Sequence, residues 1–302
     1  MEKIMLISNL HAGSVSAPTR EVIIKALKAD FKVEAVDTAR RSHGIELARD
    51  AVDRDFDAVL AFGGDGTINE VAQALVDTDV ALGILPGGST NVLARSLGIP
   101  VNPVEATAFV GARLRAGTRR RINVGAAGDR FFLLCTGMGL DAEVVRRVEA
   151  DPERKRENHE WAFVSNALKA GLGAYRGVDP GITMTVEGSD PVRVMTAVCC
   201  NGRPFTYLRR FPVDVCPQAT LEGGFDVFGL HRLRMGTAPR LVWALFVSRS
   251  HVRWRTTTYR HDVARVHLDA DRPMPVQVDG DYIGESTGHS IVLRRDALDL
   301  LV

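Results

Sequence analysis

The sequence predicts an α/β domain built on a parallel sheet, followed by a domain of mainly antiparallel β structure. Strand-like apolar runs alternate with helical patterns up to about Arg120. Beyond it, short β-branched runs are separated by Gly, Pro and Asp, which is typical of antiparallel strands. The 302 residues exceed the length of one average domain, so we expect two domains.

The first third of the chain repeats a strand-like run and a helical pattern four times. The strand-like runs are KIMLIS (3–8), KVEAVDT (32–38), AVLAFG (58–63) and ALGILP (81–86), and the helical patterns cover 18–29, 43–52, a stretch from Thr67, and 90–97. This alternation predicts a parallel sheet covered by helices on both faces. Ligands bind such sheets at the carboxyl ends of the strands. The residues at those ends are Asn9, Thr38, Gly63–Thr67 and Gly87–Asn91.

The second half is β-rich, with helical patterns at about 161–175 and 239–250. The texture changes near 118–124, and no low-complexity linker marks the change. We therefore expect domains of 1–122 and 123–302, with the last residues returning to the first domain.

Composition and charge are those of an ordinary globular protein. The net charge of +1 gives no global field that would steer the chain towards nucleic acid. Four cysteines without C-x-x-C spacing predict reduced core thiols of a cytoplasmic protein. The sequence has no signal-peptide h-region and no apolar run near the ~20 residues that cross a bilayer, so we expect a soluble protein that is at most peripheral to a membrane.

The segment GGDGT (63–67) places three glycines in four positions between an apolar strand and a helix. Glycines let a backbone approach an anion, and the start of a helix supplies N–H groups and a positive dipole end. Asp65 would repel a bare phosphate, so it either lies near a metal–nucleotide complex or orients the loop. The alternative is a strand–turn–helix connection that binds no ligand.

A second glycine-rich loop, PGGSTN (86–91), follows the next strand. Here the alternative to a ligand site is that Ser89 or Thr90 caps the following helix. Two such loops on consecutive strand–helix units favour a nucleotide site.

These two loops resemble the catalytic domain of the diacylglycerol kinase-like lipid kinases, which include bacterial soluble diacylglycerol and phosphatidylglycerol kinases and the sphingosine and ceramide kinases. The P-x-G-T-x-N block of that family is similar to Pro86, Gly88, Ser89 and Asn91, with Ser in place of Thr. Further similar segments keep the family's order along nearly the whole chain: NLHAG (9–13), Thr38 before RRSHGIELA, GMGLDAEVV (137–145), NGRPF (201–205), ATLEGGFDV (219–227) and VDGDYIG (278–284).

The resemblance implies a three-layer α/β domain, a β-sandwich-like second domain and ATP in the cleft between them. It implies transfer of the γ-phosphoryl group of ATP to a lipid hydroxyl, with a diacylglycerol-like lipid favoured. By the same resemblance Asp281 is the base, Asp279 supports the base or the metal, and Asp65 organises the Mg²⁺–ATP site. A second, structural Mg²⁺ would bind Glu222 and the backbone oxygens of Ala219 and Gly224.

The resemblance also implies a set of nucleotide-binding residues in the first domain. These are Asn9, Gly13, Thr38, Gly63, Gly64, Asp65, Gly66, Thr67, Asn69, Glu70, Gly88, Ser89, Thr90 and Asn91.

Two substitutions depart from the family pattern. Asp281 stands where the family has Glu and is shorter by one methylene, and a misplacement of that order costs roughly 100-fold in rate. Glu222 replaces the usual Asp of the magnesium loop. Together with Ser89, these changes suit a pseudokinase that binds nucleotide or lipid without transfer. The segment VDGD alone suits a type I′ hairpin turn. A further alternative is a NAD kinase, since NAD kinases share the GGDGT signature. They lack the second glycine-rich loop, so its presence here argues against this alternative.

Residues 201–260 contain ten arginines against three acids, with aromatic residues between them. Cations with aromatics favour contact with an anionic membrane surface, here the inner face of a membrane. The alternative for LVWALFV (241–247) is a buried helix face. No nucleic-acid motif accompanies the arginines, and His159 and His289 have no metal-ligand spacing. The lipid and the oligomeric state, including a homo-oligomer, stay open.

Overall fold

The computed structural model describes residues 1–13, 15–150, 181–233 and 238–302, with the side chain of Ala238 left out. The predicted helix at 161–175 and His159 lie outside the described residues, as does Arg234 of the arginine-rich region. The chain divides into two compact units. Unit 1 is Met1–Val124 with Arg294–Val302, and unit 2 is Gly125–Leu293.

Unit 1 alternates strands and helices, as the sequence predicts. Its elements are β1 (Lys3–Ser8), α1 (Ala17–Lys28), β2 (Lys32–Asp37), α2 (His43–Asp53), β3 (Ala58–Gly63), α3 (Asp65–Leu75), β4 (Ala81–Pro86), α4 (Val92–Ser96), α5 (Pro103–Ala116) and the start of β5 (Arg120–Ala127). Helix α5 was not predicted, although Asn102 caps it, Pro103 begins it and Gly117 ends it at a φ of 65°.

The sheet of unit 1 is parallel, in the order β2–β1–β3–β4, and Leu300 pairs with Leu82 at its far edge. Strands β3 and β4 are buried along their whole length, which is the pattern of strands covered on both faces. Strand β2 is the opposite edge and is half-exposed.

Unit 2 is mainly antiparallel. It contains β6 (Arg130–Phe132), β7 (Cys135–Gly139), α6 (Leu140–Glu149), β8 (Ile182–Val186), β9 (Val192–Val194), β10 (Thr196–Cys200), β11 (Thr206–Leu208), β12 (Phe211–Val213), β13 (Phe225–Leu230), α7 (Ala238–Trp243), β14 (Thr257–Val263), β15 (Arg265–Val278) and most of β16 (Asp281–Leu300). Strands run in the order β14–β13–β10–β7–β15–β16, and β11 pairs only with β12 among the described strands. The predicted fold class, parallel α/β followed by antiparallel β, is confirmed.

The core of unit 2 lies on this sheet and includes all four cysteines. Phe132 stacks on Phe225 with ring centroids 5.5 Å apart. Cys135, Cys199, Cys200 and Cys216 are buried free thiols, as predicted. Burial raises the pKa of Cys135 and Cys199 well above the usual thiol range, so these groups are unreactive core residues.

The predicted helix at 239–250 is shorter and irregular. Helix α7 continues as a π-helical turn (Ala244–Ser248) and a 3₁₀ turn (Ser250–Arg253). Within the described residues no helix is both long and apolar enough to span a bilayer.

Candidate active site

The four parallel strands of unit 1 end at the same edge of the sheet. Ser8 lies opposite Asp37 and Phe62, and Gly63 lies opposite Pro86. The segments after these strands therefore leave from one edge of the sheet. The loops and the helix start that follow these strands carry the nucleotide-binding residues expected from the sequence.

The two glycine-rich loops at this edge touch through their backbones. A Cβ on Gly88 would lie 2.7 Å from the Cα of Gly64, and a Cβ on Gly87 would lie 3.1 Å from the Cα of Gly63. The N–H of Gly87 donates to the carbonyl of Gly63 over 2.7 Å. Most of the glycines are thus explained by the contact between the loops.

Asp65 joins the same two loops through its carboxylate. It accepts hydrogen bonds from the N–H groups of Val92 (3.0 Å) and Leu93 (3.2 Å) at the start of α4. Burial raises the pKa of Asp65, and the backbone hydrogen bonds oppose that rise. Asp65 therefore orients the loops, and its direct role in a Mg²⁺–ATP site stays a prediction.

The capping role considered for Ser89 and Thr90 is wrong for α4. Ser89 is exposed, and the cap is the carboxylate of Asp65. Asn91, at a φ of 49°, closes the loop by accepting from the N–H of Gly88 and donating to its carbonyl, both over 2.8 Å.

Other expected nucleotide residues also hold the scaffold. Asn9 donates to Thr67 Oγ1 over 3.1 Å, and this links the loop after β1 to α3. Glu70 accepts from the N–H groups of Ser42 (2.8 Å) and Gly44 (3.1 Å), and so caps α2. Asn69 is buried, and Thr38 bonds to the carbonyl of Ser8 through its N–H.

Gly13 and Gly66 differ from the glycines between the loops. Both are exposed, and apart from the adjoining residues and, for Gly66, the backbone of α3, no heavy atom of the described residues lies within 4 Å of a Cβ built on either. Neither has a φ in the left-handed region. Gly66 lies in the first turn of α3, whose backbone N–H groups have no partner within the helix. An uncovered backbone at a helix start fits a phosphate.

The segment VDGD of unit 2 is the turn between β15 and β16. Asp279 and Gly280 have φ values of 47° and 81°, as a type I′ turn requires. The carboxylate of Asp279 accepts from the N–H groups of Leu133 (2.7 Å), Leu134 (2.9 Å) and Cys135 (2.9 Å). Asp279 thus fixes the turn to the start of β7.

Asp281, the expected base, follows the turn. Its carboxylate lies 2.7 Å from Arg130 Nη2, and both side chains are about one-third exposed. An ion pair with this exposure contributes at most about 1 kcal/mol, so it does not lock Asp281 in place. Sequence reasoning missed Arg130 and also Gln277, whose Oε1 accepts from the N–H of Gly280 over 2.9 Å.

Two backbone N–H groups of the expected structural magnesium loop donate to side chains. Gly224 donates its N–H to Asp262 Oδ1 over 2.7 Å, and Gly223 donates to Thr220 Oγ1. Glu222 is exposed, Ala219 is buried, and the described residues contain no group of three or more His, Cys, Asp or Glu side chains that could hold a metal ion. Because one carboxylate and two carbonyls form a sparse set of ligands, the structural Mg²⁺ stays a prediction.

The arginine-rich region exposes apolar side chains. Val242, Trp243 and Val247, on α7 and the π-helical turn, are 54%, 62% and 55% exposed, and we call them the apolar patch. The interpretation of 241–247 as a buried helix face is therefore wrong for these residues. Two of the region's three acids are buried in pairs, Asp214 with Arg249 and Asp226 with His261.

Comparison with known proteins identifies the family. A family model, the diacylglycerol kinase catalytic domain, matches residues 3–127. The diacylglycerol kinase of Bacillus subtilis strain 168 is 34% identical over 287 residues, which cover 91% of this chain and 88% of that protein. The chain belongs to the diacylglycerol kinase family of lipid kinases.

Family membership identifies the chain as a kinase, and the family implies a nucleotide substrate and usually a divalent metal. The "Probable lipid kinase YegS-like" of Chromohalobacter salexigens is 34% identical over 151 residues. That match covers 48% of this chain and 47% of the relative, about half its length.

Solved structures share the fold. A crystal structure of a diacylglycerol kinase from Bacillus anthracis strain Sterne is 19% identical, has a TM-score of 0.71, and covers 99% of this chain and 96% of that one. A second structure from the same strain, also 19% identical, has a TM-score of 0.78 and covers 99% of this chain and 97% of that chain.

Proposed function

We propose that this kinase transfers the γ-phosphoryl group of ATP, with Mg²⁺, to the hydroxyl of a diacylglycerol-like lipid at the inner face of a membrane. The observation that carries the proposal is the exposed Gly66 in the first turn of α3, beside the two glycine-rich loops, which contact each other through their backbones. The name of the Bacillus subtilis relative supports the choice of lipid.

Phosphate groups would bind at the N-terminus of α3 and the loop ending at Asn91. The helix has eleven residues, so its first N–H groups and its dipole favour an anion. Asp65 does not repel that anion strongly, because its carboxylate already accepts two N–H groups of α4. Bound Mg²⁺ would neutralise charge on the phosphates, and it needs few protein ligands when phosphates and water supply the rest.

In the proposed reaction the lipid hydroxyl oxygen attacks the γ-phosphorus. The bond from that phosphorus to the bridging oxygen breaks, and ADP leaves with the electron pair. Asp281 accepts the hydroxyl proton, which a carboxylate can do once it lies within hydrogen-bond reach. The partly exposed ion pair with Arg130 allows Asp281 to turn to the hydroxyl, and Asp279 keeps the turn in place.

The test is transfer of γ-³²P from ATP to a panel of lipids in mixed micelles with Mg²⁺, using wild type and Asp281→Asn. We expect label on a diacylglycerol-like lipid, lost in the variant. Bound ATP without transfer to any lipid would replace the proposal with the pseudokinase, and label on NAD would replace it with a NAD kinase. Transfer that survives Asp281→Asn would remove Asp281 as the base.

The lipid would be met through the apolar patch and the arginines around it. Arg240 on α7 and Arg253 on the following 3₁₀ turn are exposed, which suits an anionic bilayer surface. Arg249 is also exposed, but its charge is paired with Asp214. Trp243 is the side chain that membranes favour at their interface.

Sedimentation with vesicles tests this docking. We expect binding to vesicles with phosphatidylglycerol and little binding to pure phosphatidylcholine. Trp243→Ser should weaken binding, whereas Val101→Ser, at an apolar residue of unit 1 that is 57% exposed, should leave it unchanged. Equal binding by Trp243→Ser and wild type would exclude the patch as the docking surface.

A further inference from the structure

Asp141 is a partly buried carboxyl group for which the proposed reaction has no use. It lies in the first turn of α6 and faces the strands of unit 2. Gly137 makes room for it, because a Cβ at Gly137 would lie 2.0 Å from Asp141 Oδ2. Burial raises the pKa of Asp141 to about 6, so the group is ionised at neutral pH and can accept hydrogen bonds with both oxygens.

A chain of hydrogen bonds connects this carboxylate to the turn that precedes Asp281. Asp141 Oδ1 accepts from Thr196 Oγ1 over 2.9 Å, and Oδ2 accepts from Gln277 Nε2 over 3.2 Å. Gln277 is fully buried, and its Oε1 accepts from the N–H of Gly280 over 2.9 Å.

The direction of this chain is fixed at both ends. The N–H of Gly280 can only donate, so Gln277 must turn its oxygen towards Gly280 and its NH₂ towards Asp141. A carboxylate at Asp141 accepts from that NH₂ and keeps the amide from rotating. The turn is then held on one side by Gln277 and on the other by the three N–H groups bound to Asp279.

We propose that Asp141 is a positioning residue for phosphoryl transfer: it orients the Gln277 amide and so fixes the turn that presents Asp281. This inference rests on the proposed function, because it concerns the placement of the expected base. Asp141 itself touches neither nucleotide nor lipid in this proposal.

Exchanging the carboxylate of Asp141 and the amide of Gln277 tests the direction of these hydrogen bonds. In Asp141→Leu the NH₂ of Gln277 loses its carboxylate acceptor, and the amide is free to rotate. In Asp141→Asn the new amide can accept from Gln277 and donate to Thr196 Oγ1, whose hydroxyl donates to the carbonyl of Met138, so this variant keeps the path. In Gln277→Glu two carboxylates face each other. In the double variant the amide introduced at position 141 donates to the carboxylate introduced at position 277. That carboxylate also accepts from the N–H of Gly280, so the path is complete again.

Two readouts separate positioning from general damage. The first is hydrogen exchange of the Gly280 amide by NMR, which needs no activity. The second is kcat and KM for ATP with the lipid found active. We expect Asp141→Leu and Gln277→Glu to exchange faster at Gly280 and to lose on the order of tenfold in kcat with KM for ATP unchanged. Asp141→Asn should resemble wild type, and the double variant Asp141→Asn with Gln277→Glu should recover both quantities.

The matched control is Thr196→Val, which removes the hydrogen bond from Thr196 to Asp141 and leaves Gln277 in place. It should lower stability while Gly280 stays protected and kcat is retained. Gln277→Met removes the amide altogether, and it replaces Asp141→Leu as the test variant if Asp141→Leu does not fold.

Unchanged Gly280 exchange and kcat in Asp141→Leu or Gln277→Met would overturn the inference. So would a double variant of Asp141→Asn with Gln277→Glu that loses as much as Gln277→Glu alone. If wild type phosphorylates no lipid, the proposed function fails, yet Gly280 exchange still decides whether Asp141 holds the turn.

Discussion

Asp65 in unit 1 and Asp279 in unit 2 perform the same task in two different surroundings. Each carboxylate accepts N–H groups from a neighbouring segment, two for Asp65 and three for Asp279. Each therefore joins two pieces of chain that are distant in sequence. In both loops the hydrogen bonds of the motif aspartate give it a structural role.

The two regions differ in what they leave for chemistry. Beside Asp65 lies the bare backbone of Gly66, whereas beside Asp279 lies the side chain of Asp281. The first region offers main-chain groups, so we expect an added side chain to disturb its function. The second offers a carboxylate, so we expect removal of a side-chain group to disturb it. Substitutions can test each half of this comparison.

The largest effect is expected in unit 2, at Asp279. Asp279→Ala leaves three N–H groups without their acceptor, and we expect a loss of about 3 kcal/mol in the free energy of unfolding. Urea unfolding measures this loss. Asp281→Asn is the control, since Asp281 makes a partly exposed ion pair and should change stability by less than about 1 kcal/mol. Equal losses in the two variants would contradict the scaffold role of Asp279.

Two groups of unit 2 titrate with opposite effects on stability. Burial raises the pKa of Asp141 to about 6 from 3.8, so the folded state holds its proton more tightly and this contribution to stability falls as pH rises from about 4 to 6. Burial, with His267 nearby, lowers the pKa of His289 to about 4 from 6.5. The unfolded state then takes up the proton first, so this contribution rises over about pH 4 to 6.5.

Each group contributes about 3 kcal/mol over its window, and the two largely cancel. Urea unfolding at pH 4, 5, 6 and 7 should show a steeper gain in stability with pH for Asp141→Asn than for wild type. His289→Gln, which keeps a donor for Thr136 Oγ1, should show a smaller gain than wild type. Parallel pH curves for all three proteins would refute the assignment.

In unit 1, Asp65→Ala should lower the free energy of unfolding by about 2 kcal/mol, because α4 loses its cap. Asp65→Asn keeps one acceptor oxygen and should lose less. Urea unfolding measures this loss, hydrogen exchange at Val92 and Leu93 reports whether the cap is broken, and the transfer assay reports activity. A variant that loses activity with unchanged stability and exchange would show a direct part for Asp65 at the metal–nucleotide complex.

The smallest effect is expected for an added methyl group at Gly66. Gly66→Ala meets no described atom, so stability should be retained while ATP affinity falls by about tenfold, or 1.4 kcal/mol. Gly88→Ala is the matched substitution, since its Cβ meets the backbone of Gly64 and should destabilise unit 1. Calorimetric titration with ATP and urea unfolding separate the two. Unchanged ATP binding in Gly66→Ala would place the phosphates elsewhere.

The sequence predicts the parallel sheet of unit 1 well, because burial on both faces makes its strands continuous apolar runs. It also predicts the hairpin turn at VDGD, since Asp-Gly favours two left-handed residues. Helix α5 was missed, although Asn102-Pro103 signals its start. The patterns around α7 suggested one helix, and the structure contains three short helical pieces.

The partners of the motif side chains could not be predicted. Asp65 meets α4 and Asp279 meets the start of β7, and both contacts join segments far apart in the chain. Sequence spacing within a motif carries no information on such contacts. For the same reason Arg130 and Gln277, which lie outside or beside the motifs, were overlooked.

The contact between Gly64 and Gly88 also bears on how unit 1 folds. Each loop fills the space in which side chains of the other would stand, so neither can take its final shape alone. We expect the segment from β3 to α4 to open and close as one cooperative unit in hydrogen exchange. If a nucleotide binds these loops as proposed, it meets a surface that is already assembled, and little of its binding free energy is used to order the loops.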